Sequence, residues 1–261
     1  MRVLLLGTSS DAGKTVCSAM ICRHLSLHGM DPVPFKASNL SLNSYATKDG
    51  GEIGMGQTFQ SWACGLEPET DMNPVLLKPS GGGRIQLIVG GKPLMDVNGD
   101  SDEGRDAARR EIRDAFSRLS EKHGFVVCEG SGSPAELNLM DRDLANTGLM
   151  RDLRIPAILV GDIERGGVFA AIYGTWRLIP DDLRMSEMCV RNKKCLSHNA
   201  LPPPLQVCSA GQRIFLCRDL RHLKPDNSCA RHCRAVIVKV PRLLIAAHDD
   251  GIYRTLPFLP L

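Results

Sequence analysis

The sequence predicts an α/β fold, a mostly parallel sheet with helices on both faces. Three observations carry this. Short apolar runs of strand type recur at Arg2–Leu6, Val33–Lys36, Phe125–Cys128 and Pro156–Val160. Helix-type stretches separate them, and strands alternating with helices argue for parallel pairing. The first run leads straight into Gly7-Thr-Ser-Ser-Asp-Ala-Gly-Lys-Thr15, a Gly-rich turn that opens a helix over Val16–His28. A strand, a turn ending in Gly-Lys-Thr and a helix make the context that a nucleotide-phosphate loop needs.

In such a loop the backbone N–H groups and the helix N-terminus face a phosphate chain. Gly7, Thr8, Asp11, Ala12, Gly13, Lys14 and Thr15 are the candidate nucleotide contacts. Lys14 would reach the β- and γ-phosphates, and the Thr15 hydroxyl would ligate Mg²⁺. The usual pattern has a glycine where Thr8 stands, and here Gly7 lies one residue earlier. Further along, Asp49-Gly-Gly-Glu52 turns into a helix over Ile53–Ala63 that carries Gln57 and Gln60. Asn73–Pro79 is extended, because each proline disfavours helix for the residue before it. Ser80–Gly83 is a turn, and Arg84–Gly90 alternates as a strand.

Ser101–His123 reads as a helix with Asp102 and Glu103 in its first turn, where acids suit the dipole. Ala107, Ile112, Ala115, Phe116 and Leu119 form its apolar face. Asp141–Asp152 and Gly167–Leu178 are expected to be helical.

The 261 residues suffice for one large α/β domain or two small ones. No apolar run is long enough for a membrane helix. The N-terminal run reads as a buried strand and not a signal peptide, which points to the cytoplasm. Charge divides the chain: residues 1–184 carry 20 Lys+Arg against 24 Asp+Glu, and residues 185–261 carry 12 against 5. Six of the ten cysteines fall in that last stretch. It holds three aromatics and no nucleic-acid motif, so neither nucleic acid nor a membrane is an expected partner. Its Cys229, His232 and Cys233 fit no standard zinc spacing, and disulfides are not expected in the cytosol.

Ligands of such sheets bind at the carboxyl ends of the strands. Glu52, Glu129 and Asp162 lie at or near such ends. Glu129, between Phe-Val-Val-Cys and Gly-Ser-Gly, is placed like a Mg²⁺ ligand or a water-holder. Asp49 and Glu52 flank a helix start, where capping is the alternative role. Lys36, Lys78 and Arg165 are cations near strand ends, with a solvated surface position as the alternative. Cys128 has apolar neighbours and reads as core, not nucleophile.

Several longer motifs occur in one order: the loop itself, Asn39-Leu-Ser-Leu-Asn43-Ser44, Asp49-Gly-Gly-Glu-Ile-Gly54, Asp71-Met-Asn-Pro-Val-Leu-Leu-Lys-Pro79, Glu129-Gly-Ser-Gly-Ser-Pro-Ala-Glu136, Asp141-Arg-Asp143 and Asp162-Ile-Glu-Arg-Gly-Gly-Val-Phe169. In order and spacing, residues 1–184 resemble the cobyric acid synthases. The resemblance implies a phosphate-loop synthetase domain of the dethiobiotin-synthetase-like class. It implies ATP and Mg²⁺ as cofactors and a corrinoid substrate, adenosylcobyrinic acid a,c-diamide, whose peripheral carboxylates are amidated to give cobyric acid in cobalamin biosynthesis. Ammonia would come from glutamine cleaved in a C-terminal glutaminase domain. By motif, Thr15, Glu129 and Glu52 would hold the metal, with Asp49 the fallback for Glu52. Lys14 would act on the phosphates, and Lys36 and Lys78 near the attacked carboxylate. A homo-oligomer is left open.

The chain is expected to stop where the glutaminase domain would begin. Residues 185–261 follow the family only in patches, such as Cys217–Pro225 and Val236–Arg242. They are expected to be a degenerate or frame-shifted tail. Two other readings stand beside the ligase: a phosphate-loop ATPase of the assembly or partition type, and an inactive nucleotide-binding remnant. Thr8, Ser9 and Ser10 stand where the partition ATPases carry a second lysine, which counts against the former.

Overall fold

The computed structural model describes residues 1–98, 102, 104–162, 166–186 and 236–237. The chain starts with β1 (Arg2–Gly7), the phosphate loop and α1 (Lys14–Leu27), followed by β2 (Pro32–Phe35). Three short strands come next, β3 (Ser38–Leu40), β4 (Ser44–Ala46) and β5 (Glu52–Gly54), and then α2 (Met55–Cys64). A run of strands follows: β6 (Val75–Gly81), β7 (Arg84–Val89) and β8 (Lys92–Asn98). The long helix α3 (Arg105–Lys122) returns the chain to β9 (Phe125–Glu129). After it come α4 (Thr147–Leu153), β10 (Ala157–Gly161), α5 (Val168–Leu178), α6 (Asp181–Ser186) and the strand pair β11 (Val236–Ile237).

The main sheet has the order β11-β10-β1-β9-β2, and every pairing in it is parallel. Side chains alternate across β1, as the two-residue period of a strand requires. Leu4 and Leu6 pack on one face with Phe35, Val126 and the Ile112, Phe116 and Leu119 stripe of α3. Val3 and Leu5 pack on the other with Phe125, Val127, Cys17 and Leu25 of α1, and Cys64 of α2. Helices therefore cover both faces, which makes the fold α/β with a mostly parallel sheet, as expected.

The middle of the chain differs from simple alternation. β6, β7 and β8 form an antiparallel meander, and β3 joins it in parallel at β6. A second small ladder pairs β4 with β5 antiparallel. Tight glycine turns at residues 81–83 and 90–91 return the chain between the meander strands. β8 escapes the sequence reading because Pro93 interrupts a strand pattern; on an edge strand a missing ladder donor is tolerated.

Helix limits shift as well. α3 starts at Arg105, so Asp102 precedes it and Asp106 is the acid of its first turn. Ala108, not Ala107, is buried on its core side together with Ala115. The predicted helix over Asp141–Asp152 breaks at Asp143. Its carboxylate accepts from the N–H groups of Ala145 and Asn146 and from the Thr147 hydroxyl. Local side-chain bonds of this kind compete with the helical ladder and start α4 afresh. The composition boundary at 184 falls on α6; of the expected degenerate tail, residues 185–186 and β11, which pairs parallel with β10, are described, and the rest lies outside the described residues. The tail cysteines and Arg165 lie outside them too.

Phe35 is fully buried and meets Phe116 edge-on, with ring centroids 5.4 Å apart. Phe35→Ala removes the contact that ties β2 to α3. It is expected to destabilise the fold by about 3–5 kcal/mol, read by chemical denaturation; a loss below ~1 kcal/mol would show that this contact is not part of a packed core.

Candidate functional site

The loop after β1 is built on unusual backbone. Gly13, with φ +99°, caps α1 in a conformation that L side chains rarely adopt. Lys14 is buried, and its Nζ donates to the carbonyls of Ser9 at 2.9 Å and Gly132 at 2.7 Å. A Cβ at Gly7 would lie 2.6 Å from that Nζ, so the glycine one residue early is needed for the lysine to lie over the loop.

Glu129 stands at the carboxyl end of β9, and register sets its neighbours. Leu5 pairs with Glu129, and Phe35 pairs with Cys128, which brings Lys36 beside Glu129. The carboxylate is 1% exposed and accepts four hydrogen bonds. Oε1 accepts from Thr15 Oγ1 and Lys36 Nζ, each at 2.8 Å. Oε2 accepts from Gln60 Nε2 at 2.5 Å and Gln57 Nε2 at 3.4 Å. Gln60 Nε2 also donates to the Thr15 carbonyl at 3.2 Å, which fixes the amide's orientation. Its Oε1 is then a buried oxygen with no partner among the described residues.

Charge and burial tune the groups here. Burial lowers the Lys14 pKa from 10.5 to about 8; nearby Lys36 adds to this, and Glu129, Asp11 and Glu136 oppose it. The Cys17 thiol is pushed up to about 12 by burial and by Glu129. Burial also raises Cys128, so both thiols behave as core and neither as nucleophile, as the sequence indicated for Cys128.

The turn that receives Lys14 is itself held. Asn146 Oδ1 accepts from Ser131 N at 3.1 Å, and its Nδ2 donates to Ser131 O at 2.7 Å. These residues open onto a cleft of about 840 Å³ that runs from the phosphate loop to the meander.

Of the residues singled out from sequence, Lys14, Thr15, Lys36 and Glu129 come together at this cleft. Asp11 and Gly13 line it too, and Ala12 is buried beneath. Thr8 donates its backbone N–H to the Val160 carbonyl. Glu52 and Lys78 pair with each other and are not among the residues that line the cleft. Burial favours the neutral acid of Glu52, but hydrogen bonds from Lys78 and Ser44 outweigh it and lower its pKa. Asp49 is exposed and accepts from the Thr70 hydroxyl. Gln57 and Gln60 were visible on their helix but carried no role. The signal for one is the pair of glutamines three residues apart, fully buried on one face of α2. Asn146 and the Gly132 carbonyl gave no sequence signal, because only the fold brings them to Lys14.

A phosphate loop between the first strand and helix of a parallel sheet, with a buried acid at the end of the adjacent strand, defines the phosphate-loop class of α/β protein. Within that class, the relatives identified by sequence are cobyric acid synthases. A probable cobyric acid synthase of Methanoculleus marisnigri is 50% identical over 185 residues, covering 70% of this chain and 38% of the relative. The cobyric acid synthase of Hyphomonas neptunium is 46% identical over 193 residues, covering 73% and 39%. That of Streptomyces coelicolor is 41% identical over 228 residues, covering 84% and 45%. The chain is homologous to the cobyric acid synthases, as its motifs indicated, and it spans about two fifths of the length of these relatives. No family model matches it. Among solved structures, the signal recognition particle 54 kDa protein of Aeropyrum pernix in complex with GDP is similar at a TM-score of 0.35 and 15% identity, covering 67% of this chain and 32% of that one.

Two expectations follow from the geometry. The Lys36–Glu129 ion pair is buried, so removing one partner strands the other charge. Glu129→Gln and Lys36→Met are each expected to cost about 3–5 kcal/mol, and the double variant clearly less than their sum. A double-mutant cycle by denaturation measures this, and strict additivity would contradict it. The second concerns pH. A bound phosphate chain would restore the charged form of Lys14, whose pKa without ligand is about 8. Nucleotide affinity is therefore expected to hold below that pH and to fall as pH rises through it, with proton uptake on binding. Calorimetry at about pH 9 in buffers of different ionisation enthalpy would show the uptake, which Lys14→Ala should abolish.

Proposed function

We propose that the chain carries the ATP-dependent, amide-forming part of a cobyric acid synthase, acting on peripheral carboxylates of a corrinoid in cobalamin biosynthesis. The observation that carries this reading is the Thr15–Glu129–Lys36 cluster beside Lys14, inside the stretch shared with those relatives.

A carboxylate is a poor electrophile. Its oxygen attacks the γ-phosphorus of ATP, ADP leaves, and the resulting acyl phosphate has a good leaving group. Ammonia then attacks the acyl carbon, phosphate departs, and an amide remains. The protein's share in the first step is positioning and charge neutralisation. Lys14 would leave the Ser9 and Gly132 carbonyls for the phosphates. Lys36, at the cleft and against Glu129, would face the charge that develops between the carboxylate and the γ-phosphoryl group.

The donors present suit Mg²⁺, a hard cation that takes oxygen ligands. The Thr15 hydroxyl and the Glu129 carboxylate would hold it. The metal would supply neutralisation of phosphate charge. Glu52 is the second acid by motif; to serve, its carboxylate would have to leave Lys78, and then Lys78 would be released toward the substrate. Glu52→Gln separates this from a purely structural pair by its effect on the Mg²⁺ requirement.

The test is ATP-dependent amidation of a corrinoid carboxylate with free ammonium, which needs no glutamine cleavage. Turnover of ATP is expected to require the corrinoid. Lys14→Ala should lose nucleotide binding without unfolding, and Glu129→Gln should lose turnover more than nucleotide affinity. ATP hydrolysis indifferent to any corrinoid would overturn the ligase reading, and wild-type nucleotide affinity in Lys14→Ala would overturn the loop assignment.

A further inference from the structure

The cleft has two unlike ends. Around the phosphate loop it is polar and charged. Beyond the loop its lining includes the apolar side chains of Leu77 and Ile85 on the meander and of Leu139 and Met140 in the 3₁₀ turn Leu137–Arg142, with Asn39 and Asn98 among them. Phosphates have no use for such walls, whereas an apolar ring face does.

Two arginines also line the cleft, and they come from different elements. Arg105 begins α3, and Arg142 ends the 3₁₀ turn. Both reach the same oxygen of one carboxylate, Asp102 Oδ1: Arg105 Nη2 in direct contact and Arg142 Nε at 3.4 Å. The Asp102 side chain is 62% exposed, and among the described residues Arg105 and Arg142 are the cations that meet it. A guanidinium binds any carboxylate in the same planar, forked manner. A side-chain carboxylate between two arginines at the margin of an apolar cleft occupies the position that a ligand carboxylate would take.

We propose that the apolar end of the cleft is the seat of the acceptor substrate, and that Arg105 and Arg142 read one of its carboxylates in place of Asp102. The ligand class is an amphipathic polycarboxylate with a broad apolar face. This rests on the ligase reading above and deepens it: one carboxylate is directed to the γ-phosphate while another is held at the arginine rim. Asp102 then acts as an internal competitor. It keeps the two arginines paired without substrate and sets how tightly a free carboxylate is held.

Competition gives the test opposite signs. Binding of cobyrinic acid a,c-diamide, and of a fully amidated corrinoid as control, is measured by absorbance titration of the full chain. An ATP analogue is titrated in parallel. Arg105→Ala and Arg142→Ala are each expected to weaken the carboxylated corrinoid about tenfold. Asp102→Ala is expected to tighten it about threefold. The amidated corrinoid and the ATP analogue should be insensitive to all three changes. Arg142→Lys should recover only part of the loss, since an ammonium lacks the fork. Thermal unfolding of each variant separates binding from folding.

Unchanged corrinoid affinity in both arginine variants would overturn the proposal. So would equal losses for the amidated corrinoid, a loss of ATP-analogue binding, or weakening by Asp102→Ala. A wild-type chain that binds the ATP analogue but neither corrinoid would overturn the ligase reading itself, and this inference with it.

Discussion

One buried carboxylate organises the phosphate-loop end of this protein. Glu129 is out of water and, among the described residues, accepts from donors on three other parts of the chain: Thr15 at the start of α1, Lys36 after β2, and Gln57 and Gln60 on α2. Burying a charge is costly unless it is paired and hydrogen-bonded. None of these elements can move far without uncovering it. The phosphate loop, the second strand and the second helix are thereby fixed to one another by the same group that the proposed chemistry needs as an oxygen donor.

The parallel sheet makes that convergence possible. Strands running the same way bring their carboxyl ends to one edge, and register places Lys36 beside Glu129, whose partner on β1 is Leu5, two residues before the loop glycine Gly7. Asn73 extends the arrangement to the meander: its amide donates to the Lys36 and Val75 carbonyls and accepts from Gly54 N. A single buried side chain thus ties together the end of β2, β5 and the start of β6.

Much of this was legible in the sequence, for local reasons. A Gly-Lys-Thr turn between an apolar strand and a helix has few other uses, and an acid directly after Phe-Val-Val-Cys stands out by charge alone. Lys36 was only one cation among several, because a lysine near a strand end looks the same whether it is buried or solvated. Burial of Gln57 and Gln60 depends on which face of α2 meets the loop, and no periodicity states that. The meander was partly hidden by Pro93. The break at Asp143 was hidden because an aspartate that caps a new helix cannot be told from one on a helix surface until its backbone partners are in place. Glu52 and Lys78 were noted separately, but their pairing follows from tertiary contact between β5 and β6.

The charged and apolar parts of the cleft are carried by different elements. The charged wall hangs on the parallel sheet, where each strand is locked by its neighbours and by Glu129. Leu77 and Ile85 of the apolar end hang on the meander, which is joined to its surroundings by β3, by Asn73, by α3 and by the Glu52–Lys78 pair from β5. Leu77 and Ile85 line the cleft from the meander and also pack against the core cluster that holds Leu4 and Leu6 of β1. The consequence is evolutionary: on the proposed reading, hairpin side chains such as Leu77 and Ile85 can vary with the shape of the acceptor, while Lys14, Thr15 and Glu129 sit on the parallel sheet and its first helix.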